Sequence, residues 1–509
     1  MSVFKKLASD SVLYGISTIV GRTVNFILTP LYTGVFTDAA DQAAQTELYV
    51  WVGLLNVLYT YGLETSFFRF AGREKEKTQH FFNIMVTALL ISSCVFSAMF
   101  IIFDTAIINA LGYPGQEKYI HWLAIVIAID SVMAIPFARL RLENKAKKFV
   151  KIRILYVLVN VLLNFFFVLF CKNIYESGSK SFISTLVNYV YDPELKAGYL
   201  MLTNLLANLL LIPLLWRTFI GFKLQWDKAQ FKQIWVFSFP ILIMGLAGLL
   251  NQSFDRMMLK SILPSDFYTG RTAQQAIGIY GQCYKLAALI SLAIMAFKYA
   301  ADPFFFSKAK DKNTPEVLAK VTKWFTIVCL LMWVFICLNL DEVGKFFLRS
   351  AMYREGLGVV PSIMLGQIFI GIFYNIGFWF KLTDNNRYAT YITLIGAAIN
   401  IVLNLVFIPQ FGYMACAYAF MISGVYMMVA CYVLGKKRYP VAYDVYSFLG
   451  YLGAAILLVW CSSFIHISNV GVAIVYHFVL FVCYLLGVIF VERKTILPLK
   501  IREKYRFLA

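Results

Sequence analysis

Apolar runs long enough to cross a bilayer recur from near the start of this chain to near its end, and they leave little sequence for anything else. A spanning helix needs roughly 20 apolar residues, and in lipid the backbone must satisfy its own hydrogen bonds, which a helix does within one segment. Such runs occupy 11–36, 47–68, 81–103, 121–137, 154–171 and 199–216, then 234–254, 276–297, 324–340, 359–380, 389–408 and 414–434, and lastly 448–465 and 470–491. They predict an all-α integral membrane protein of about 14 transmembrane helices. Composition agrees: 60% of residues are hydrophobic, 14% are charged and the mean hydropathy is +0.71. A water-soluble protein of 509 residues does not have that balance.

The net charge of +19 raises the question of nucleic acid, but the basic residues sit in short loops between apolar runs and form no basic surface. They set orientation instead. Alternate loops are basic, among them Arg69 to Lys77, Arg139 to Arg153, Lys308 to Lys323 and the tail after Arg493, whereas several intervening loops hold no Lys or Arg. By the positive-inside bias both termini are expected in the cytoplasm, with an even number of crossings. The nine cysteines lie in or beside apolar runs without CxxC spacing, and the four histidines are scattered. Neither pattern predicts a metal site or a cofactor.

An internal repeat organises the chain. LENKAKKFVKIRILYVLVNVLLN (142–164) and LTDNNRYATYITLIGAAINIVLN (382–404) align without gaps at an offset of 240, superposing Asn160 on Asn400 and Asn164 on Asn404. Each copy places an Asn pair at i and i+4, on one helix face, just after a polar basic-side loop. An even number of spans separates the copies, which implies parallel repeats about an axis along the membrane normal. The expected domains are a six-helix bundle over 1–220, a second over 221–438, and two peripheral helices with a basic tail over 439–509.

Ionisable side chains at bilayer depth cost a few kcal/mol on insertion scales and normally face a bundle interior or a wet cavity. Arg22, with Asn25 three residues on, lies near the middle of the first run, and Lys285 near the middle of the eighth. Asp130 is central in the fourth, while Glu64 and the pair Asp255 and Arg256 lie nearer the ends of the second and seventh. Two readings are open. Arg22 and Lys285, one from each bundle, give a central cavity the charge to hold an anion such as a pyrophosphate, the guanidinium fork matching phosphate oxygens. Alternatively either cation is neutralised by Asp130 or Glu64. The two carboxylates are candidates for ion coupling or for pairing, and Asp255–Arg256 for a structural or gating pair. Asn160, Asn164, Asn400 and Asn404 line a polar cavity or serve as interhelical hydrogen bonds. The segments 177–194 and 344–358 carry apolar residues at helical spacing and read as interfacial helices.

With this layout, five fragments resemble the polysaccharide-exporting flippases of the MOP superfamily, which also holds the MATE exporters and the lipid II flippases: VGRTVNFILTPLYTGVF, YGLETSFFRFAG, FPILIMGLAGLLNQSFDRMML, GIYGQCYKLAALI with DPFF, and INIVLNLVFIPQFGYMACAYA. The resemblance covers most of the chain. It puts Arg22, Glu64, Arg69, Asp255, Arg256 and Lys285 in family motifs. It implies a MATE-like fold in a bacterial cytoplasmic membrane, with undecaprenyl-pyrophosphate-linked oligosaccharide flipped by alternating access and driven by an ion gradient or the membrane potential. The expected partners are the lipid-linked substrate, membrane lipids and other polysaccharide-assembly proteins. A lipid II flippase or a MATE-type cation exporter are the alternatives. A glycan polymerase or ligase fits poorly, because the longest outer segment, 172–197, is short and lacks His and Arg.

Overall fold

The computed structural model describes residues 19, 21, 23, 26–143, 145–178, 181–264, 267–308, 313–383, 385–465, 467 and 469–496. Among these the regular structure is entirely helical. The first half comprises α1 (Phe26–Val35), α2 (Ala43–Thr60), α3 (Leu63–Arg73), α4 (Thr78–Ile102), α5 (Glu117–Leu142), α6 (Ala146–Asn164) and α7 (Tyr199–Leu209). The second comprises α8 (Lys228–Ile262), α9 (Ala273–Ala287), α10 (Leu289–Lys308), α11 (Thr314–Leu338), α12 (Val359–Ile376), α13 (Asn386–Phe411) and α14 (Tyr413–Arg438), followed by α15 (Val445–Ser463) and α16 (Val470–Ile496).

Eleven helices are long and apolar enough to cross a membrane, and α9–α10, bent by 40° at Ala288, brings the number up to 12. Each falls on an expected run. Of the other two runs, 11–36 is met among the described residues by the shorter helix α1. The run 47–68 is broken: Tyr61 (φ 31°) and Gly62 (φ 76°) take left-handed backbone and separate α2 from α3. A glycine adopts that conformation without strain, and Tyr61 beside it is over-determined by the packing around its buried ring.

Each half has its own apolar core. One gathers α3, α4 and α5 with the first turns of α8, around Phe67, Phe82 and Ile135; the other gathers α9, α11, α12 and α14 around Tyr280, Leu330 and Phe420. Helices α15 and α16 rest against α11 and are mostly exposed along their length. Lys323 of α11 pins them, bridging to Asp444 (3.1 Å) and to the buried Glu492 (2.5 Å), which also accepts a hydrogen bond from Tyr451 (2.6 Å).

Described basic loops meet at one end of each half: Arg139 donates to the Thr218 carbonyl (3.0 Å) in the first, and Arg438 to the Tyr388 hydroxyl in the second. At the other, far end, the two halves are sealed together chiefly along one strip, 33–47, with a further contact where Gln274 donates to the Gly112 carbonyl (3.1 Å). The Tyr353 hydroxyl donates to the Phe36 carbonyl (2.7 Å), Thr33 to the Phe347 carbonyl (2.8 Å) and Ser350 to the Thr37 carbonyl (3.0 Å). Gln282 donates to Gln42, and Gly278 lies so close to the Ala39 carbonyl that a Cβ there would collide with it. Lys260 of α8 pairs with Glu47 of α2 at 2.7 Å. The segment 344–358, expected as an interfacial helix, is part of this seal because its carbonyls and hydroxyls are bonded to the strip. The segment 177–194 does form a helix, Phe182–Val190, with Phe182, Leu186 and Val190 exposed. At the basic end, α8 meets the first half through Ser66 and Ser238 (2.6 Å), and the segment before it through the Gln225 amide, which donates to Thr87 (3.1 Å), and the Gly221 carbonyl, which accepts from Gln79 (3.1 Å).

Candidate functional site

Between the halves lies a cavity of about 440 Å³, walled by α1, α2, α6 and α7 on one side and by α8, α9 and α10 on the other. Each wall is a helix face read at four-residue spacing. Helix α6 contributes Tyr156, Asn160 and Asn164, α2 contributes Gln45, Tyr49 and Gly53, and α7 contributes Leu200 and Asn204. On the opposite side α8 supplies Ser253 and Arg256, α9 supplies Tyr284 and Lys285, and the bend after α9 adds Ala288 and Ser291. A capping box fixes the start of α9: Thr272 Oγ1 accepts from the Gln275 amide and Gln275 Oε1 accepts from the Thr272 amide. Lys285 therefore sits one turn before a break in a spanning segment, the kind of place where transporters bind substrate.

Among the described residues, two cations face this cavity and no carboxylate lines it. The Lys285 ammonium has no hydrogen-bond or ion-pair partner among the described residues. Arg256 lays its guanidinium over the Tyr284 ring at 3.8 Å, and its Nε is buried without a hydrogen-bond partner. The neighbouring carboxylate does not neutralise it closely. Asp255 stands 4.0 Å from that Nε and turns away into the packing of α8 and α9, where it accepts from the Tyr280 hydroxyl and the Arg256 backbone amide. The sequence placed Arg256 near a helix end. Because α8 runs on to Ile262, Arg256 lies about two turns inside it, on the cavity wall.

A second cavity of about 500 Å³ lies toward the basic end within the first half and shares Gly21, Tyr156 and Val157 with the central one. Glu64, Asp130, Arg141 and Arg153 line it. Glu64 is paired with Arg141, so it does not neutralise Lys285. Arg153 stacks over Phe137 at 4.3 Å, and Asp130 has no hydrogen-bond partner among the described residues.

The remaining expected residues are divided. Arg22 and Asn25 lie outside the described residues, although Gly21 and Phe26 line the central cavity. Arg69 is at the basic end, its guanidinium 4.0 Å over the Phe237 ring and outside the cavity lining. The two repeats match in local geometry: the Asn164 amide donates to the Asn160 carbonyl (2.8 Å) and the Asn404 amide to the Asn400 carbonyl (2.9 Å). Their surroundings differ. Asn160 and Asn164 are among the cavity's lining residues, Asn164 accepting from the Tyr32 hydroxyl (2.9 Å), whereas Asn400 and Asn404 are not among them, and Asn400 donates to the Asn251 carbonyl at 2.7 Å. The expected cavity lining thus does not extend to Asn400 and Asn404, which tie α13 to α8.

Several lining residues carry no formal charge and were not singled out from sequence: Thr46, Tyr49, Tyr156, Asn204 and Tyr284. The available signal was spacing, since Tyr156 precedes Asn160 by four residues and Asn204 and Asn208 form a further i, i+4 pair.

Residues 46–191 match the family model of polysaccharide biosynthesis proteins. No curated protein matches the chain. Among solved structures, it resembles the lipid II flippase MurJ in an inward closed conformation, with TM-score 0.67 and 15% identity over 96% of this chain and 100% of that one. It also resembles an inward-facing multidrug resistance MATE family transporter of the MOP superfamily, with TM-score 0.62 and 14% identity over 84% of this chain and 98% of that one. A third match is a MOP superfamily transporter from Pyrococcus furiosus described by a reversed polarity of its binding pocket, with TM-score 0.58 and 14% identity over 86% and 98%. In fold, then, this multi-pass membrane protein resembles the solved lipid II flippase and MATE transporters, and its residues 46–191 match the family model of polysaccharide biosynthesis proteins.

Proposed function

We propose that this protein is a flippase that carries undecaprenyl-pyrophosphate-linked oligosaccharide across the bacterial cytoplasmic membrane by alternating access. The observation that carries the reading is the central cavity, walled by both halves, with Lys285 unpaired, Arg256 only loosely paired to Asp255 at 4.0 Å, and no carboxylate among its described lining residues. Cations held out of water bind a diphosphate strongly, through charge-assisted hydrogen bonds. A carrier of organic cations would need the opposite charge there. The functional units are the two bundles, 1–220 and 221–438, with 439–509 at the periphery. The basic end and both termini face the cytoplasm, as the loop charges favour. In this arrangement the sealed far end makes the structure an inward-oriented state. The second cavity, with Glu64 and Asp130, is the place for ion coupling, since both carboxylates lie on the path between the basic end and the central cavity.

The test is transport of a fluorescent prenyl-diphosphate sugar into proteoliposomes by Arg256→Ala, Lys285→Ala and the double variant. Each lost charge-assisted contact costs about 1.5–3 kcal/mol, so each single variant is expected to lose about tenfold to a hundredfold of transport. Full transport by the double variant would overturn the cationic-cavity reading. Likeness to MurJ keeps lipid II as the second substrate to try, and complementation of cells depleted of their lipid II flippase decides between the two.

A further inference from the structure

The central cavity has two chemically different walls. The second half contributes both cations found among the described lining residues. The first half contributes, among the described residues, only neutral polar groups and apolar ones, and its polar groups are held in a network. The Asn204 amide donates to the Tyr49 hydroxyl at 2.9 Å, and the Tyr156 hydroxyl donates to Asn204 Oδ1 at 2.8 Å. Asn208, behind Asn204, donates to its backbone carbonyl (3.1 Å) and to Oδ1 (3.0 Å), which fixes the amide's orientation.

Two groups on this wall remain unsatisfied. Thr46 is 7% exposed and lines the cavity, yet its hydroxyl has no hydrogen-bond partner, and the buried Gln45 Oε1 has none either. A buried polar atom left unpaired costs free energy, so these positions call for a complementary group. The Gln45 oxygen can only accept. An acceptor repels phosphate oxygens and attracts hydroxyl or N–H donors. The chemistry that fits is a hydroxyl-rich, uncharged ligand whose ring can lie against Tyr49 and Tyr156.

We propose that the wall formed by Thr46, Tyr49, Tyr156 and Asn204 binds the first sugar of the substrate while Arg256 and Lys285 hold its diphosphate, so that the substrate lies across the cavity with fixed polarity. This rests on the flippase reading above. It assigns specificity for the sugar to the first half and affinity for the carrier to the second.

The experiment measures binding to the purified full-length protein of two probes, farnesyl diphosphate and farnesyl-diphosphoryl glucose. One or two hydrogen bonds to the hexose predict about tenfold tighter binding of the sugar-bearing probe. In Asn204→Ala and in Tyr156→Phe, which keeps the ring and loses only the hydroxyl, the two probes are expected to bind within about twofold of each other. The thermal unfolding midpoint of each variant is measured alongside, and Tyr156→Phe decides if Asn204→Ala is destabilised. Equal binding of both probes by the unaltered protein, or a preference that survives in Tyr156→Phe, overturns the sugar wall while leaving the flippase reading in place. Binding of neither probe overturns the flippase reading itself.

Discussion

Lys260→Met should open the far end. Lys260 Nζ is 2.7 Å from Glu47 Oε2, with the two side chains 18% and 5% exposed, and it also reaches the Leu111 carbonyl, joining α8 to the first half. Two unit charges about 4 Å apart attract by about 4 kcal/mol at an effective dielectric of 20. Removing one member of such a buried pair costs about 3–5 kcal/mol, because the other is left buried and unpaired. Glu47 would keep the hydrogen bond from the Tyr113 hydroxyl at 2.8 Å, which argues for the lower end, about 3 kcal/mol. Since the pair bridges the halves, that cost falls on the sealed state and is relieved when the halves part and water reaches Glu47. A loss of about 3 kcal/mol lowers the ratio of sealed to open states about a hundredfold. An open state populated to about 1% before the change would then approach half of the molecules.

The assay is the distance between spin labels at Asn109 and Asp341, exposed positions on opposite halves at the far end, with the exposed Cys94, Cys461 and Cys483 replaced first. Lys260→Met should add a longer-distance population. Glu47→Gln with Lys260→Met removes both charges and should return the distribution toward the original, because paired removal is close to neutral. An unchanged distribution in Lys260→Met would refute the lock, as would a double variant more open than the single one.

Three further outcomes follow from other sites. Gly278→Ala puts a methyl against the Ala39 carbonyl, a backbone atom that cannot turn aside, so the same spin labels should report opening without any change of charge. Glu492→Gln leaves Lys323 with Asp444 but weakens the buried contact that pins α15 and α16, and should lower stability by about 1–3 kcal/mol in detergent unfolding without changing the central cavity. At the far end, the hydrogen bond from His121 (2.6 Å), and then that from Thr105, hold the Asp104 carboxyl below its ordinary range. A depressed carboxyl stabilises the fold above its unfolded value of about 3.9 and loses that contribution as pH falls through the folded value. His121→Ala should therefore lower the thermal midpoint at neutral pH and flatten its fall with acid, so that the difference from the unaltered protein closes as pH drops through the acidic range.

Most of the architecture was legible because apolar length is a direct requirement of the bilayer, so helices such as α4, α12 and α16 fall where the runs do. The break at Tyr61–Gly62 was not, because a continuous apolar run does not record a left-handed turn within it. Lys285 was legible as a charge with no reason to be at bilayer depth. Arg256 was legible as a charge toward the end of its span, but its place on the cavity wall depends on where α8 ends, and Ile262 lies well beyond the apolar run that marked the span. The neutral wall escaped notice for a different reason. Tyr156 and Asn204 cost little in a membrane, so only three-dimensional convergence distinguishes them from ordinary interhelical hydrogen bonds. The repeat predicted equivalent Asn pairs, and they are equivalent in their own backbone bonds. What each pair faces depends on neighbouring helices, which the repeat does not encode.

The far-end seal is concentrated in one short strip, 33–47, whose backbone carbonyls at Phe36, Thr37 and Ala39 meet groups of the opposite half. Such a seam is a handle for inhibition. On the flippase reading, a ligand arriving from the far side and offering hydrogen-bond donors to those carbonyls would prop the two halves apart and stop transport. Resistance by side-chain substitution would be slow to arise, since the atoms it grips belong to the main chain.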